Sequence, residues 1–197
     1  MSDPGERVGA IVLAGGRSSR FGRDKLAEPV GGRPMLDRAI DAVRAVATDI
    51  VVVSTLDGTP TIPTDVTLAH DARAFEGPLA GLAAGLAALD DSVRRAVVVG
   101  GDMPSLVPPV LERMLGRLEY ADAVVLEADD RPRPLPMAIR SVVLGPVIGR
   151  LLAGGERRLR ALLTEVRTET LDQETWRQDD PEGASLRDVD VPEDLSG

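Results

Sequence analysis

The 197-residue sequence contains no cysteine, which excludes disulfide bonds, thiolate metal sites and a cysteine nucleophile. Aromatic residues make up only 2% of the chain, so the core must be built from alanine, valine, leucine and isoleucine. The same scarcity argues against a base-stacking platform for single-stranded nucleic acid. No apolar run approaches the roughly 20 residues needed to cross a bilayer, so we expect a cytoplasmic protein that does not enter a membrane.

The chain is also poor in positive charge and in lysine. Its formal net charge of −9 disfavours binding to nucleic acid, because proteins that bind a long polyanion usually carry a basic stripe. Lys25 is the only lysine among the 23 lysine and arginine residues. The cations of any phosphate-binding site must therefore be local. Lys25 is the first to consider, because an ammonium group is a compact point charge that can follow a phosphate.

Strand and helix patterns alternate along the chain. Apolar runs predict strands at residues 8–13, 50–53, 96–99, 123–126 and 135–139. Helical spacing predicts helices from Pro34 to residue 43 and at 79–89, 109–118, 142–152 and 157–163, whereas the segment around Trp176 has no clear pattern. The first helix has one apolar face, so we expect the four charged side chains on its other face to be exposed to solvent: Asp37, Arg38, Asp41 and Arg44.

This alternation predicts one α/β domain over residues 1–197, with a mostly parallel sheet in a Rossmann-like three-layer αβα sandwich. Ligands of such sheets bind beyond the carboxyl ends of the strands. The residues that follow Leu13, Val53 and Val99 are therefore the candidates for a site.

The loop after the first predicted strand combines glycines with cations. Glycine lets backbone N–H groups approach phosphate oxygens closely. The spacing matches neither the dinucleotide motif G-x-G-x-x-G nor the P-loop. An ordinary loop with solvated arginines is the alternative interpretation. The loop contains Ala14, Gly15, Gly16, Arg17, Arg20, Arg23 and Lys25.

A carboxylate follows the third predicted strand, in the run Gly100-Gly101-Asp102-Met103-Pro104. A strand-end carboxylate beside two glycines is suited to holding Mg²⁺ against phosphate oxygens, since Mg²⁺ prefers oxygen ligands and keeps several waters. The alternative is an aspartate that only forms a turn.

The stretch from Leu13 to Lys25, followed by Pro29-Val30-Gly31-Gly32-Arg33-Pro34-Met35-Leu36, resembles the N-terminal signature of nucleotidyltransferases that activate sugar phosphates and related acceptors. It is most similar to the MobA-like molybdenum cofactor guanylyltransferases. The resemblance implies a nucleotide-diphospho-sugar transferase-like fold. It also implies that the glycine-rich loop wraps a triphosphate whose phosphates the lysine holds, roles that fall on Leu13, Ala14, Gly15, Gly16, Arg20 and Lys25.

Further segments extend the resemblance to the end of the chain. Asp71 with Gly77-Pro78-Leu79 is similar to the motif that contacts the nucleoside, and Ser54 stands where the family often has asparagine. The segment from Arg187 to Leu195 resembles the closing motif and implies that Asp190 assists Asp102 in binding the metal. The loop from Gly155 to Arg160 is similar to one on the acceptor side, although a solvated helix face accounts for its arginines equally well.

We therefore expect Mg²⁺-dependent transfer of GMP from GTP to the phosphate of molybdopterin. Gly101 in place of the usual cysteine, and aspartates in place of the closing asparagines, resemble the cytidylyltransferases for the same cofactor. CTP with molybdopterin, a sugar-phosphate acceptor and a domain that binds nucleotide without turnover are thus the alternatives. An NAD-dependent oxidoreductase is disfavoured because G-x-G-x-x-G is lacking. Whether a partner protein delivers the cofactor is left open.

Overall fold

A seven-stranded sheet forms the middle layer of the protein. The computed structural model describes residues 7–15, 25–55, 60–71 and 77–187, and for Lys25 the backbone. The strands in these ranges are β1 (Val8–Leu13), β2 (Pro29–Val30), β3 (Arg33–Pro34), β4 (Asp49–Ser54), β5 (Thr67–His70), β6 (Arg95–Gly100), β7 (Ala123–Ala128), β8 (Arg131–Arg140) and β9 (Thr168–Leu171). The helices are α1 (Met35–Arg44), α2 (Pro78–Ala88), α3 (Pro108–Arg117), α4 (Ser141–Ala153), α5 (Leu159–Glu165) and α6 (Gln173–Trp176), with 3₁₀ helices at Lys25–Ala27 and Ala184–Leu186.

The strand order is β5-β4-β1-β6-β8-β7-β9, and the short strands β2 and β3 form a separate hairpin. Neighbours are parallel from β5 to β6 and between β7 and β9, whereas β8 runs antiparallel to both β6 and β7. The prediction of a mostly parallel sheet is confirmed. The carboxyl ends of β5, β4, β1 and β6 consequently meet at one edge, which we call the carboxyl edge.

Helices cover both faces of the sheet, as the three-layer prediction requires. One buried cluster joins the sheet to α1, α3 and α6, and a second joins it to α2, α4 and α5. The α1 pattern explains its placement, since its apolar residues recur on one face: Met35, Leu36, Ala39, Ile40 and Val43. Among the described residues, no helix combines the length and apolar character that a membrane span requires.

Small residues bring α2 close to the strands beneath it. A Cβ at Gly85 would lie 2.5 Å from Cγ2 of Ile11, and a Cβ at Gly81 would lie 3.5 Å from Cδ2 of Leu13. The alanine- and glycine-rich sequence of α2 thus sets its distance from the sheet. The first turn of α2 is held at the carboxyl edge as a result.

The structure differs from the sequence prediction mainly at the margins of the sheet. Strands β5 and β9 occupy its two edges and were not predicted. Strand β8 begins at Arg131 rather than at residue 135, and Pro34 belongs to β3, so that α1 begins at Met35. Trp176 is 1% exposed and its Nε1 donates to the carbonyl of Glu127 at 2.9 Å, which docks the C-terminal segment on β7.

Candidate active site

The chain segments that leave β1, β4 and β6 are hydrogen-bonded to one another. The amide of Ala14 donates to the carbonyl of Val53 at 2.8 Å, and the amide of Gly101 donates to the carbonyl of Leu13 at 3.0 Å. Leu13, Ala14 and the exposed Gly15 therefore lie between the ends of β4 and β6. The start of the predicted triphosphate loop thus lies in the middle of the carboxyl edge.

Asp71 lies next to this segment, directly after β5. Its amide donates to the carbonyl of Ser54 at 3.1 Å, so the last residue of β4 fixes the position of the aspartate backbone. The Ser54 side chain is only 2% exposed and its hydroxyl donates to the carbonyl of Thr55 at 3.2 Å. The backbone of Ser54 thus positions Asp71 at the carboxyl edge. The predicted contact between Ser54 and the nucleotide stays a prediction.

Asp102 follows the end of β6, in a turn where its carboxylate lies against the backbone of Gly100. A Cβ at Gly100 would lie 2.5 Å from Oδ1 of Asp102, so a side chain there would displace the carboxylate. The turn is closed by the amide of Met103, which donates to the carbonyl of Gly100 at 3.3 Å. Met103 is itself buried, at 2% exposure, and anchors the turn in the core.

The short helix Lys25–Ala27 lies against this turn. The position of a Cβ at Gly101 is 3.4 Å from both methyl groups of Leu26, so the residue after Lys25 packs directly on the residue before Asp102. The structure thus brings the Lys25 backbone and Asp102 together. The predicted site residues Gly16, Arg20 and Asp190 lie outside the described residues.

Arg38 is a residue that sequence analysis misassigned. It was predicted to face water from α1, but its Nε donates to the carbonyl of Pro104 at 3.1 Å and its Nη1 to the carbonyl of Val30 at 3.3 Å. The apolar periodicity of α1 carries no signal for these contacts, because both acceptors are backbone carbonyls. Asp41 and Arg44 of the same helix do lie at the surface, in ion pairs with Arg33 and Asp65.

Gly77 begins α2 at the same edge and has no room for a side chain. Its φ is +89°, and a Cβ would lie 2.9 Å from the carbonyl oxygen of Arg157. That oxygen accepts the amide of Leu79 at 3.2 Å, which satisfies a free N–H of the first turn of α2. The loop between α4 and α5 therefore packs against the predicted nucleoside motif.

Glu156 organises this loop. Its carboxylate accepts the side chain and the amide of Arg158 and the amide of Arg157, and these bonds lower the pKa of Glu156 to about 2. The Arg157 guanidinium donates to the carbonyls of Leu152 and Glu156. Two of the three arginines predicted for the acceptor side are thus engaged within the loop. The third, Arg160, is exposed in α5.

Glu156→Gln is expected to destabilise the protein in a pH-dependent way. The folded pKa is depressed from 4.5, so the ionised carboxylate contributes stability that is complete above about pH 4.5 and is lost as the pH falls through about 2. Denaturant unfolding should show wild type more stable at neutral pH, with a difference that shrinks in acid. Glu165→Gln, at the exposed end of α5, is the control. A pH-independent difference would contradict the assignment.

The C-terminal segment returns to the loop that follows Asp102. The buried carboxylate of Asp180 accepts the amides of Ala184 and Ser185 at 3.0 and 2.7 Å. The Ser185 hydroxyl accepts the amide of Val107 at 3.0 Å. This buried network ties the chain just before the predicted closing motif to the segment five residues beyond Asp102.

A groove of about 360 Å³ between α2 and α4 lies near the amino ends of the parallel strands, opposite the carboxyl edge. Its lining includes Asp90 and Val93, which precede β6, and Ser141, which follows the end of β8. The groove is therefore remote from the carboxyl ends of the strands. We do not assign the active site to it, despite its volume.

Similarity to known proteins agrees with the geometry of the carboxyl edge. A family model described as the MobA-like NTP transferase domain matches residues 10–171. The chain belongs to this family. A molybdenum cofactor guanylyltransferase of Desulfosudis oleivorans is 32% identical over 194 residues, which cover 96% of this chain and 93% of that protein. Nucleotidyl transfer is accordingly the activity class of this MobA-like protein, and the resemblance seen in the sequence is confirmed.

Solved structures share the fold of this MobA-like chain. Molybdopterin-guanine dinucleotide biosynthesis protein A from Archaeoglobus fulgidus superposes with a TM-score of 0.77 at 23% identity, over 95% of this chain and 94% of that one. The 4-diphosphocytidyl-2C-methyl-D-erythritol synthase of Anaerococcus prevotii gives 0.73 at 16% identity, over 97% and 95%. At these identities the likeness is one of fold alone.

Proposed function

We propose that this MobA-like protein transfers GMP from GTP to the phosphate of molybdopterin, with release of pyrophosphate and a requirement for Mg²⁺. The observation that carries the proposal is the convergence of Leu13–Gly15, Asp71 and Asp102 at one edge of the sheet, with the Lys25 helix packed on Gly101. The guanylyltransferase of Desulfosudis oleivorans, at 32% identity, supports the choice of substrates.

Each segment of the edge has a role in this proposal. The backbone from Leu13 to Gly15, continued by Gly16 and Arg20, wraps the triphosphate, and Lys25 binds its phosphates. Asp71, with Ser54 behind it, contacts the base. Gly77 lets the first turn of α2 pack against the Arg157 carbonyl at this edge, next to the proposed position of the base. The exposed Arg160 is suited to an anionic acceptor at the same edge.

The donor set of the edge fits Mg²⁺. Asp102 would hold the ion at the end of β6, with Asp190 as the second carboxylate. Among the residues that the structure describes, no three histidine, cysteine, aspartate or glutamate side chains are grouped so that they could hold a metal ion by themselves. One or two carboxylates suit Mg²⁺, which takes its other ligands from water and from substrate phosphates. When bound, the ion would neutralise charge on the triphosphate and on the departing pyrophosphate.

The proposed chemistry needs little from the protein except alignment. An oxygen of the acceptor phosphate forms a bond with the α-phosphorus of GTP, and the bond from that phosphorus to pyrophosphate breaks. The attacking phosphate is already ionised at neutral pH, so no general base is required. Lys25 and Asp102 hold the reacting groups in line and stabilise the charge that develops on the phosphates.

CMP transfer from CTP is the second candidate, and Gly101 is the observation that favours it. The usual cysteine at this position would bring its Cβ to 3.4 Å from the Leu26 methyl groups and the carbonyl of Leu13. Glycine therefore leaves this contact with Leu26 and Leu13 without a side chain. Guanine remains our choice because it offers a ring N–H and an amino group to one carboxylate, here Asp71, whereas cytosine offers only the amino group.

Parallel titrations of GTP and CTP in the presence of Mg²⁺ test the base assignment. Losing one hydrogen bond to a charged group costs about 1.5–3 kcal/mol, so we expect GTP to bind about ten- to a hundredfold more tightly. Asp71→Asn should remove most of that preference while leaving CTP affinity nearly unchanged. Equal affinities for the two nucleotides in the wild type, or a preference for CTP, would favour the cytidylyltransferase. Pyrophosphate release with molybdopterin then tests the acceptor.

A further inference from the structure

Arg38 bridges the two segments that carry the proposed phosphate and metal ligands. Its Nε reaches the carbonyl of Pro104, two residues after Asp102, at 3.1 Å. Its Nη1 reaches the carbonyl of Val30, five residues after Lys25, at 3.3 Å. One guanidinium thus joins the loop after β6 to the hairpin that follows the Lys25 helix.

The bridge is rigid at both of its ends. Arg38 projects from α1, whose apolar face is buried in the core, so the base of the side chain cannot shift. Pro104 is buried and its carbonyl is fixed in direction by the turn at Gly100–Met103. On the other side, Gly31 has a φ of +59° and a Cβ there would lie 3.1 Å from Nη1, so the hairpin closes directly on the guanidinium.

The contacts between the two segments indicate that the bridge controls the distance and angle between them. The two segments also meet through an apolar contact, between the Leu26 methyl groups and Gly101. Apolar contacts are non-directional and allow sliding. Two hydrogen bonds from a planar fork fix both distance and angle.

We propose that Arg38 is a positioning residue that sets the separation of Lys25 from Asp102, a role that rests on the function proposed above. Arg38 does not touch the reacting atoms. It holds the loop that carries Asp102 against the segment that carries Lys25, so that both meet the same triphosphate. A displacement of about 1 Å in a reaction governed by alignment can cost about 100-fold in rate.

Arg38→Met tests the bridge, because methionine keeps an unbranched side chain but has no N–H donors. Arg44→Met is the matched control on the same helix, where the arginine only makes surface ion pairs. For Arg38→Met we expect kcat for pyrophosphate release to fall about 100-fold, with a smaller change in KM for the triphosphate. The Mg²⁺ concentration that gives half-maximal rate should rise. Arg44→Met should match wild type in all three quantities.

Arg38→Lys separates positioning from simple loss of charge. Lysine keeps the positive charge but cannot serve both carbonyls in one plane, so its kcat should lie between those of wild type and Arg38→Met. This variant also carries the test should Arg38→Met fail to fold. Wild-type kcat and Mg²⁺ dependence in a folded Arg38 variant would overturn the proposal.

Hydrogen exchange of the protein without nucleotide or Mg²⁺ gives a readout that does not depend on catalysis. The amide of Met103 donates to the carbonyl of Gly100 within the bridged turn, and the amide of Gly101 ties that turn to the carbonyl of Leu13. Their exchange should be about tenfold faster in Arg38→Met than in Arg44→Met, as for the loss of one hydrogen bond. Equal exchange would refute the bridge itself. A wild-type protein that releases no pyrophosphate would instead refute the proposed function and leave the exchange result standing.

Discussion

Asp102→Asn is expected to lower kcat for nucleotidyl transfer by at least about 100-fold, the size of effect seen when a group that stabilises transition-state charge is removed. The amide keeps the shape of the side chain but loses its negative charge, so the proposed hold on Mg²⁺ weakens. The carboxylate lies at the edge of the sheet, after the end of β6, and its neighbour Met103 anchors the turn in the core. The free energy of unfolding should therefore change by no more than about 1 kcal/mol.

Steady-state pyrophosphate release and thermal unfolding of the same preparations distinguish these effects. Asp91→Asn is the control, since Asp91 is an exposed aspartate at the opposite edge of the sheet. Raising Mg²⁺ should restore part of the activity of Asp102→Asn if the lost group is a metal ligand. Wild-type turnover in this variant, or a loss of activity that follows a large fall in melting temperature, would contradict the role assigned to Asp102.

Lys25→Ala is expected to weaken triphosphate binding about ten- to a hundredfold, the equivalent of one lost charged hydrogen bond. Lys25 is the only lysine of the chain, and it begins the short helix whose next residue, Leu26, packs on Gly101. Leu26 keeps that contact in the variant, so the turn at Asp102 should be retained. The lost binding should appear in the affinity for GTP rather than in the melting temperature.

Calorimetric or fluorescence titration with GTP and Mg²⁺ measures this loss. GMP is the control ligand, because it lacks the β- and γ-phosphates that the ammonium is proposed to bind, and its affinity should change much less. Lys25→Arg should recover only part of the affinity, since a planar fork cannot follow the phosphates as a compact ammonium does. Normal binding and turnover of GTP by Lys25→Ala would remove Lys25 from the site.

The loops of the site could be predicted from the sequence because the residues that mark them are neighbours along the chain. Glycines stand directly after the apolar runs that end near Leu13 and, beside Asp102, near Val99. Parallel strands bring their carboxyl ends to one edge whatever the loops between them do. The family motifs occupy the same positions. The residues in their order along the chain thus predict the layers of the fold, the edge proposed to bind nucleotide and the position of Asp102 after the third predicted strand.

The fold alone decided the features that depend on contacts between distant residues. Edge strand β5 is half exposed, so it lacks the continuous apolar run that marks the central strands. The position of Arg38 on the polar side of α1 predicts that its side chain faces solvent. Its guanidinium instead donates to the carbonyl of Pro104, 66 residues away, and to that of Val30 in the β2–β3 hairpin. Ser185 has the sequence context of a polar loop residue, yet it is buried and its hydroxyl accepts the amide of Val107, 78 residues away. Periodicity reports which face of an element is buried, whereas hydrogen bonds to backbone groups leave no trace in the identity of the residues that accept them.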